Sequence, residues 1–351
     1  MKLLAPTRGS VRHGPRRIES RPLAVALTIV ALLSHGCSED NPSSVCPSGL
    51  DQLGVLPSGG PSTGLTFAGN AIYLSDGNAG LRIINVATPS APTEQTVLMP
   101  GGAEGVAQDV LFNEDTAYVA GGPAGVSVLD ASDPLAPTEV TVVPLPGLST
   151  ALELHEGRLL SAQNFEGLSI LDLTDPRAPS EISNLPGTVT EVESSSFGLY
   201  TNGQTQVRSV DLNDPSMPLL AGAYTDEMPP NDGEFAPGSS GLVAASGALF
   251  FGNGGFLYVL DFREPQAASR LATLEVPDQI NASALEGQCL FVGYNDGGLS
   301  AIDLSDVTSP FIVFTIGADE FNGAVNDVVS IGDLLYVADR LFGLRVFAWS
   351  N

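Results

Sequence analysis

Three acidic residues lie at equivalent positions of a repeated sequence unit, and together their side chains could bind a cation. Asp109, Glu191 and Asp327 each precede the last position of a recurrent apolar segment by 20 or 21 residues. At the start of strands that surround a narrow channel, their carboxylate oxygens would suit a hard cation such as Ca²⁺. The other interpretation is that each acid accepts backbone N–H bonds from its own or the adjacent unit. The sequence leaves both roles open.

Catalytic chemistry has little support among the other residue types. Beyond residue 36 the chain has one histidine, His155, so a Ser-His-Asp triad would have to use it, and a His-Cys metal cluster is excluded. His155 falls between two apolar runs in the segment LELHEGRL, which predicts a solvated turn residue. No catalytic residue is assigned. A carboxylate-dependent hydrolase of the glycosidase type, with two acids beside a pocket at the channel mouth, is the alternative to a non-enzymatic protein.

The three acids belong to a repeat that predicts the architecture. A six-residue core, which usually opens on glycine, continues with apolar residues and usually ends on an acid, occurs seven times at intervals of 39 to 50 residues. This period is typical of the four-stranded blades of a β-propeller. The seven cores are GLRIIN at Gly80, GVSVLD at Gly125, GLSILD at Gly167, QVRSVD at Gln206, FLYVLD at Phe256, GLSAID at Gly298 and GLRVFA at Gly343.

Two further apolar runs precede the core, and a turn motif with a fourth run follows it. In the second copy, AQDVLF and TAYVAG come before the core, and TEVTVV comes after ASDPLAP. Asp130 and Asp133 can bond nearby backbone amides and Pro134 fixes its own φ, so ASDPLAP is predicted to be a turn rather than a catalytic signature. The sequence therefore predicts an all-β fold, a seven-bladed β-propeller of four-stranded blades.

The chain ends predict how the ring closes. The seventh copy stops at AWSN after its third run, whereas residues 50–57 (LDQLGVLP) form a strand-like run with no blade of their own. If they supply the outer strand of the last blade, the two ends of the chain pair and the ring closes. The predicted organisation is an export segment at 1–36, a tether at 37–60 that contains this closing strand, and the propeller at 61–351.

The pattern V-x-V-x-D-x-S/T-D-P-x-x-P is clearest at residues 126–137, 168–179 and 299–310, and these units resemble the LVIVD repeat family of bacterial surface and secreted proteins. The resemblance covers residues 64–351 and implies a β-propeller in the cell envelope. Three copies depart from the pattern. Asn85 and Thr88 replace acids in the first, Ser209 interrupts the apolar run of the fourth, and Arg263 alters the turn of the fifth. The family implies no shared chemistry, so function must be argued from the site.

The N-terminal 36 residues have the features of an export signal. Six basic residues precede the apolar run at residues 23–33, which is too short for a bilayer crossing of about 20 residues. The Gly36-Cys37 pair resembles the lipobox of bacterial lipoproteins, which implies acylation of Cys37, and Ser38 implies sorting to the outer membrane. Plain signal-peptidase cleavage is the alternative. The predicted location is the cell envelope, as an outer-membrane lipoprotein on the periplasmic or surface side, and otherwise secretion.

The charge of the remaining chain argues against nucleic acid as a partner. Residues 1–36 hold six of the 14 basic residues and one of the 40 acidic ones, so 8 basic and 39 acidic residues remain, a net charge of −31. Such a charge repels nucleic acid and anionic lipid and attracts cations and basic partners. Membrane contact is predicted through the lipid anchor only, and the propeller is predicted to be monomeric.

Two cysteines remain if Cys37 is acylated. In an oxidising compartment Cys46 and Cys289 could form a disulfide that joins the tether to the propeller. The alternative is that Cys289 is simply a buried apolar residue at the start of a strand.

Acidic residues gather on one predicted face. Turns between the second and third strands lie on the same side of a propeller as the connections between blades, and the largest connection spans residues 223–240. Because loops on rigid scaffolds often bind ligands, we predict a non-enzymatic binding or scaffolding protein that presents this face to an envelope or extracellular protein, a glycan or a cation. A merely solvated set of loops is the alternative. The predicted binding face comprises Asp76, Glu166, Asp226, Glu227, Asp232, Glu234, Tyr294, Asp296 and Asp339.

Overall fold

The computed structural model describes residues 46–102, 105–203, 206–224, 241–245, 247–264, 267–321 and 323–349. The chain divides into two units, Met1–Cys37 and Ser38–Asn351, and every described residue belongs to the second. The predicted export segment and Cys37 lie outside the described residues. Within the described part, no helix has the length and apolar character that a bilayer crossing requires.

The predicted all-β propeller is confirmed: the described chain forms seven four-stranded antiparallel blades. Strand β1 (Leu50–Leu56) belongs to the last blade, and the others follow in chain order from the inner to the outer edge of each blade. Blade 1 contains β2 (Gly64–Ala68), β3 (Ala71–Ser75), β4 (Leu81–Asn85) and β5 (Thr93–Leu98). Blade 2 contains β6 (Asp109–Asn113), β7 (Thr116–Ala120), β8 (Val126–Asp130) and β9 (Thr138–Val143). Blade 3 contains β10 (Ala151–His155), β11 (Arg158–Ala162), β12 (Leu168–Asp172) and β13 (Ser180–Leu185).

The remaining blades follow the same order. Blade 4 contains β14 (Glu191–Ser195), β15 (Gly198–Asn202), β16 (Val207–Asp211) and β17 (Leu219–Tyr224). Blade 5 contains β18 (Val243–Ala245), β19 (Ala248–Asn253), β20 (Phe256–Asp261) and β21 (Ser269–Glu275). Blade 6 contains β22 (Ile280–Glu286), β23 (Cys289–Tyr294), β24 (Leu299–Asp303) and β25 (Phe311–Ile316). Blade 7 contains β26 (Val325–Ile331), β27 (Leu334–Asp339), β28 (Gly343–Trp349) and, as its outer strand, β1.

The burial of each strand follows its place in the blade. The second strands are covered on both faces, and all five residues of β3 and of β7 are buried. A strand buried on both faces has no polar side, which is why these segments read as continuous apolar runs. The fourth strands are largely exposed, as in β9, where the first three residues face solvent. Seven apolar clusters, each between two consecutive blades, make up the core.

The glycine that opens the repeat core is required by the backbone. Gly125 has φ +93°, and a Cβ there would lie 2.1 Å from the carbonyl oxygen of Val143 on the outer strand. Gly167 is held in the same way, with φ +103° and a Cβ position 2.1 Å from the Leu185 carbonyl oxygen. A side chain at this point would be strained and would collide with the outer strand, so glycine fixes the passage into the third strand.

The Asp-Pro segment is a turn, as predicted. In blade 2 the Oδ1 of Asp130 accepts the backbone N–H of Ser132, and the Oδ1 of Asp133 accepts that of Leu135, both at 3.1 Å. The turn also packs against the preceding blade, because the Tyr73 hydroxyl donates to the Pro134 carbonyl oxygen at 2.8 Å. The motif therefore connects strands and links neighbouring blades.

The chain ends close the ring as predicted. Strand β1 pairs antiparallel with β28, from Leu50 opposite Trp349 to Leu56 opposite Leu344. A β-bulge at Leu53 interrupts this pairing, at the position where the outer strands of the other six blades also carry a bulge. Because β1 repeats this bulge, the N-terminal segment functions as a true fourth strand rather than as a loose cover.

A disulfide joins the closing segment to blade 6. The structure pairs Cys46 with Cys289, with their Cα atoms 5.2 Å apart, and both residues are buried. Cys46 lies four residues before β1, whereas Cys289 begins β23. The disulfide therefore ties the start of the closing strand to a neighbouring blade.

Candidate functional site

The inner strands form a closed ring, and this ring positions the channel carboxylates. The first strand of each blade contacts the first strand of the next, and β26 contacts β2, which completes the circle. Asp109 and Glu191 begin β6 and β14, and Asp327 lies in β26, so all three predicted channel acids are on inner strands.

Asp109 and Asp327 link blades through backbone amides in the same way. The Oδ1 of Asp109 accepts the N–H of Val110 at 2.7 Å, and its Oδ2 accepts the N–H of Leu152 in blade 3 at 2.8 Å. Asp327 accepts the N–H of Val328 at 2.8 Å and that of Leu65 in blade 1 at 2.7 Å. Each aspartate therefore fastens the inner strand of its own blade to that of the next blade.

The glutamates of blade 4 make a longer version of the same link. Glu191 accepts the backbone N–H groups of Gly241 and Leu242 in blade 5, at 3.2 and 3.3 Å. Two residues on, Glu193 accepts the N–H of Ala244 at 3.0 Å. Residues i and i+2 of a strand share a face, so both side chains reach the same neighbour.

Sequence reasoning missed two members of this set, Glu153 and Glu193. Glu153 accepts the backbone N–H of Ser194 in blade 4. Each glutamate is the third residue of its inner strand and therefore shares a strand face with the first residue. This two-residue spacing is the sequence signal that could have revealed them. With them, carboxylates bridge four of the seven blade junctions.

The structure does not gather Asp109, Glu191 and Asp327 into a cation site. Within the described residues, no group of three or more His, Cys, Asp or Glu side chains is placed to hold a metal ion. The carboxylate oxygens instead accept backbone amides, which is the structural role that the sequence left open beside Ca²⁺ binding.

Burial changes the acidity of these carboxylates. Desolvation, which disfavours the charged form, raises the pKa of Glu191 and of Asp327 to about 7 and that of Glu193 to about 8. It also raises the pKa of Asp109, and it raises that of Glu153 well above its ordinary value, with a further contribution from the charge of Glu193. Backbone hydrogen bonds act in the opposite direction, but they do not outweigh burial.

The predicted binding face divides into exposed and buried residues. We define the loop face as the turns between second and third strands together with the connections between blades. Glu166 and Asp296 are exposed on it, as predicted. Asp226, Glu227, Asp232 and Glu234 lie outside the described residues.

Three residues predicted for this face are buried and do not present their side chains to solvent: Asp76, Tyr294 and Asp339. Asp76 accepts the backbone N–H groups of Gly59 and Gly60 at 3.0 and 3.1 Å, so its carboxylate binds the tether instead of facing solvent. Turn acids were expected to be solvated, but an aspartate at a strand end is well placed to accept the amides of its own or a nearby turn.

Asp339 supports an exposed aromatic residue. It pairs with the Nε of Arg345 at 2.8 Å and accepts the N–H of Phe342 at 3.0 Å. The Arg345 guanidinium in turn lies 4.5 Å from the ring centre of Phe342 and 4.2 Å from that of Phe321. Arg345 therefore holds the partly exposed Phe342 ring through a cation–π contact.

Apolar side chains project from the same face. Phe165 in the β11–β12 turn is 67% exposed, and Leu341 in the β27–β28 turn is 68% exposed. The exposed large apolar residues of the loop face are Met99, Leu148, Phe165, Leu341 and Phe342. Among the described residues, exposed apolar side chains and exposed carboxylates therefore occur on the same face.

His155 is not the solvated turn residue that the sequence predicted. It ends β10, is half-buried, and its Nδ1 lies 2.7 Å from the Ser194 hydroxyl oxygen in blade 4. Burial lowers the pKa of its imidazole. The reason for the difference is that the neighbouring blade covers a position that looked like a free turn in the sequence.

The chain is similar to known proteins in its repeats and in its fold. A family model described as the LVIVD repeat matches residues 59–99, 104–143 and 283–317, which correspond to blades 1, 2 and 6. No protein among the curated sequences matches.

Two solved structures share the fold at low sequence identity. A computationally designed protein, Ika8, is 11% identical with a TM-score of 0.61, covering 86% of this chain and 100% of the designed one. A chain of a mitotic checkpoint complex is 13% identical with a TM-score of 0.69, covering 95% of this chain and 100% of that chain. The chain is therefore a seven-bladed β-propeller with LVIVD repeats in three of its blades.

Proposed function

We propose that this protein is a non-enzymatic binding or scaffolding propeller of the cell envelope, and that it presents its loop face to a protein partner with basic residues. The observation that carries the proposal is the exposure of Phe165 and Leu341 on a face that also exposes Glu166 and Asp296. A few buried anchor residues, often aromatic, supply most of the binding energy of protein interfaces, while charges around them select the partner.

The charge of the chain supports a basic partner. Residues 37–351 carry a net charge of −31, and a field of this size raises the rate at which basic proteins encounter the surface. The insertion at 225–240, which contains four of the acids, connects blade 4 to blade 5. A glycan or a cation remains a weaker candidate for this face, because neither explains the exposed apolar side chains.

The sequence of residues 1–37 supports attachment to the outer membrane through an acylated Cys37. The disulfide between Cys46 and Cys289 suits an oxidising compartment outside the cytoplasm. Replacement of Cys37 by serine should move the protein from the membrane fraction to the soluble envelope fraction, and continued sedimentation with membranes would contradict lipid anchoring.

The hydrolase alternative gains no support from the described residues. The inner-strand carboxylates that would flank a scissile bond accept backbone amides from neighbouring blades. Carboxylates with this structural function are poorly placed to move protons or attack a substrate.

The test is co-purification from the native envelope after mild cross-linking, with tagged full-length protein. A stoichiometric protein partner should accompany the native chain, and the double variant Phe165→Ser/Leu341→Ser should lose it at least tenfold. The matched control is Val140→Ser/Leu219→Ser, which alters two exposed apolar residues on outer strands and should retain the partner. Equal recovery with both double variants would reject the loop face as the binding surface.

A further inference from the structure

Blade 4 breaks a packing rule that the other blades keep. The fourth position of the repeat core faces the next blade, where it joins the apolar cluster between the two blades. In blade 4 this position is Ser209, and its cross-strand partner on β17 is Gly222. The equivalent residues of the other six blades are Ile83, Val128, Ile170, Val259, Ala301 and Val346.

Elsewhere a small residue at this pair of positions is compensated. In blade 6, Ala301 lies opposite Phe314, whose ring packs against the core cluster. In blade 7, Gly54 lies opposite Val346, and a Cβ on Gly54 would be 2.6 Å from the Pro89 carbonyl oxygen, so the turn of blade 1 fills that space. Blade 4 combines a small polar residue with a glycine, and Ser209 of this pair lines an open groove.

An open groove of about 590 Å³ occupies that region. Its walls include the turns of blades 3, 4 and 5 that lie opposite the loop face, among them His155, Phe197, Asp211, Arg263 and Glu264. The volume falls within the range of small-molecule sites, which is roughly 300–1,000 Å³. The groove is therefore separate from the loop face and independent of the function proposed for that face.

A buried hydroxyl without a partner lines this groove. Ser209 is only 2% exposed, and its Oγ has no hydrogen-bond partner among the described residues. Val207 and Ser209 point to the same side of β16, and Val207 packs in the cluster between blades 4 and 5, so Ser209 also faces blade 5. Buried polar groups are normally hydrogen-bonded, and a ligand hydroxyl in the groove would satisfy this one.

The charges of the groove disfavour an anion. Three carboxylates line it, those of Glu156, Asp211 and Glu264. The only guanidinium in the lining, that of Arg263, is held by Asp261, whose two carboxylate oxygens lie 2.9 and 3.1 Å from its Nε. Burial lowers the pKa of His155, which disfavours a positive charge on its imidazole. The lining thus has more negative than positive charge.

The apolar component is an aromatic ring at the rim. Phe197, in the turn between β14 and β15, is 44% exposed. A ring face, a buried hydroxyl and several carboxylate acceptors match a molecule with one apolar face and several hydroxyl groups.

We propose that this groove binds a neutral saccharide, whose ring stacks on Phe197 and one of whose hydroxyl groups bonds to Ser209. Asp211 and Glu264 then accept hydrogen bonds from other sugar hydroxyls.

The experiment is saturation-transfer NMR followed by calorimetric titration on purified full-length protein. The probes are cellobiose, maltose, lactose and N,N′-diacetylchitobiose. At least one of them should bind with a Kd below about 1 mM, equivalent to about 4 kcal/mol of binding free energy. Ser209→Val should weaken that binding at least tenfold, because valine fills the groove floor and removes the hydroxyl.

The melting temperature of the same variant shows whether a loss of binding results from misfolding. Valine occupies the equivalent position in blades 2, 5 and 7, so Ser209→Val should not lower the melting temperature. Phe197→Ala should also weaken binding at least tenfold, whereas Phe165→Ala on the loop face should leave the Kd unchanged. The proposal is overturned if no saccharide of the panel binds, if Ser209→Val binds as tightly as the native protein, or if the cation spermidine binds while the saccharides do not.

Discussion

At the scale of single residues, one side-chain type has two opposite roles in this protein. Asp172, at the end of β12, accepts the hydroxyl and backbone N–H of Thr174, and these bonds lower its pKa. Asp327 also accepts two backbone N–H groups, yet burial raises its pKa. The carboxyl group is the same, and the difference comes from the water that each position excludes.

This contrast predicts how stability depends on pH. Glu191, Glu193 and Asp327 hold protons to about pH 7 or 8 when folded, whereas in the unfolded chain they lose them near pH 4. Between about pH 5 and 8 the unfolded state therefore binds fewer protons, and the free energy of unfolding falls as pH rises, by about 2 kcal/mol or more. Urea unfolding across this range measures the slope.

The control is the variant Glu191→Gln/Asp327→Asn, which should have a flatter profile because two of the titrating groups are absent. Below about pH 4 the aspartates of the Asp-Pro turns have the opposite effect on stability. Their pKa values are lower in the folded chain than in the unfolded chain, so the free energy of unfolding falls as pH falls and these groups become protonated. Stability should therefore be greatest near pH 5. A free energy of unfolding that is constant or rises from pH 5 to 8 would refute the account of the inner-strand acids.

At the scale of strands and turns, the blades could be predicted from the sequence because the residues that mark them lie close together in the chain. The apolar runs, the core glycine and the Asp-Pro turn lie within a few residues of one another, and the structure confirms the blades that they predict. The β-bulge of each outer strand was not predicted, because no residue type marks it. The acceptor roles of Asp109 and Glu191 were not decided either, since their donors come from a different blade.

The burial of Asp339 shows the same limit. Its position at a predicted turn indicated exposure, but Arg345 pairs with it across the hairpin, and Gly323, which is distant in sequence, lies against its carboxylate. Local sequence determines the strand order, whereas non-local contacts determine which polar residues remain available for a ligand.

The core glycine gives a direct test of the repeat geometry. Gly167→Ala should lower the free energy of unfolding by about 1–3 kcal/mol or more, because the backbone has a positive φ and the new Cβ collides with the Leu185 carbonyl oxygen. Gly157→Ala is the matched control, since it also has a positive φ but no atom lies within 4 Å of its Cβ position. Chemical denaturation should therefore rank Gly167→Ala as clearly the more damaging. Equal losses would show that the collision has no energetic effect.

At the scale of the whole molecule, the ring is closed by noncovalent and covalent means together. Strand β1 completes blade 7, and the Cys46–Cys289 disulfide spans 243 residues of sequence. A closed ring leaves only short, protected blade edges, and its loops are held on a rigid base. Such a base suits a protein whose function is to hold a partner in a fixed orientation.

The disulfide should contribute strongly to stability because it closes so long a loop. Cys289→Ala is expected to lower the free energy of unfolding by about 2–5 kcal/mol. Reductant should destabilise the native protein by a similar amount and have little further effect on the variant. A native protein insensitive to reductant under unfolding conditions would contradict this role for the disulfide.

If the loop face holds a protein partner, site-specific photocross-linking at that face should capture it. A photoreactive residue is placed at position 165 or 341 of the full-length protein in its native host, and in parallel at the outer-strand positions 140 and 219. We expect one specific protein to cross-link to both loop-face positions, with a lower yield at high salt, and none to cross-link to the outer-strand positions. Cross-links from the outer strands alone, or none from the loop face, would contradict it.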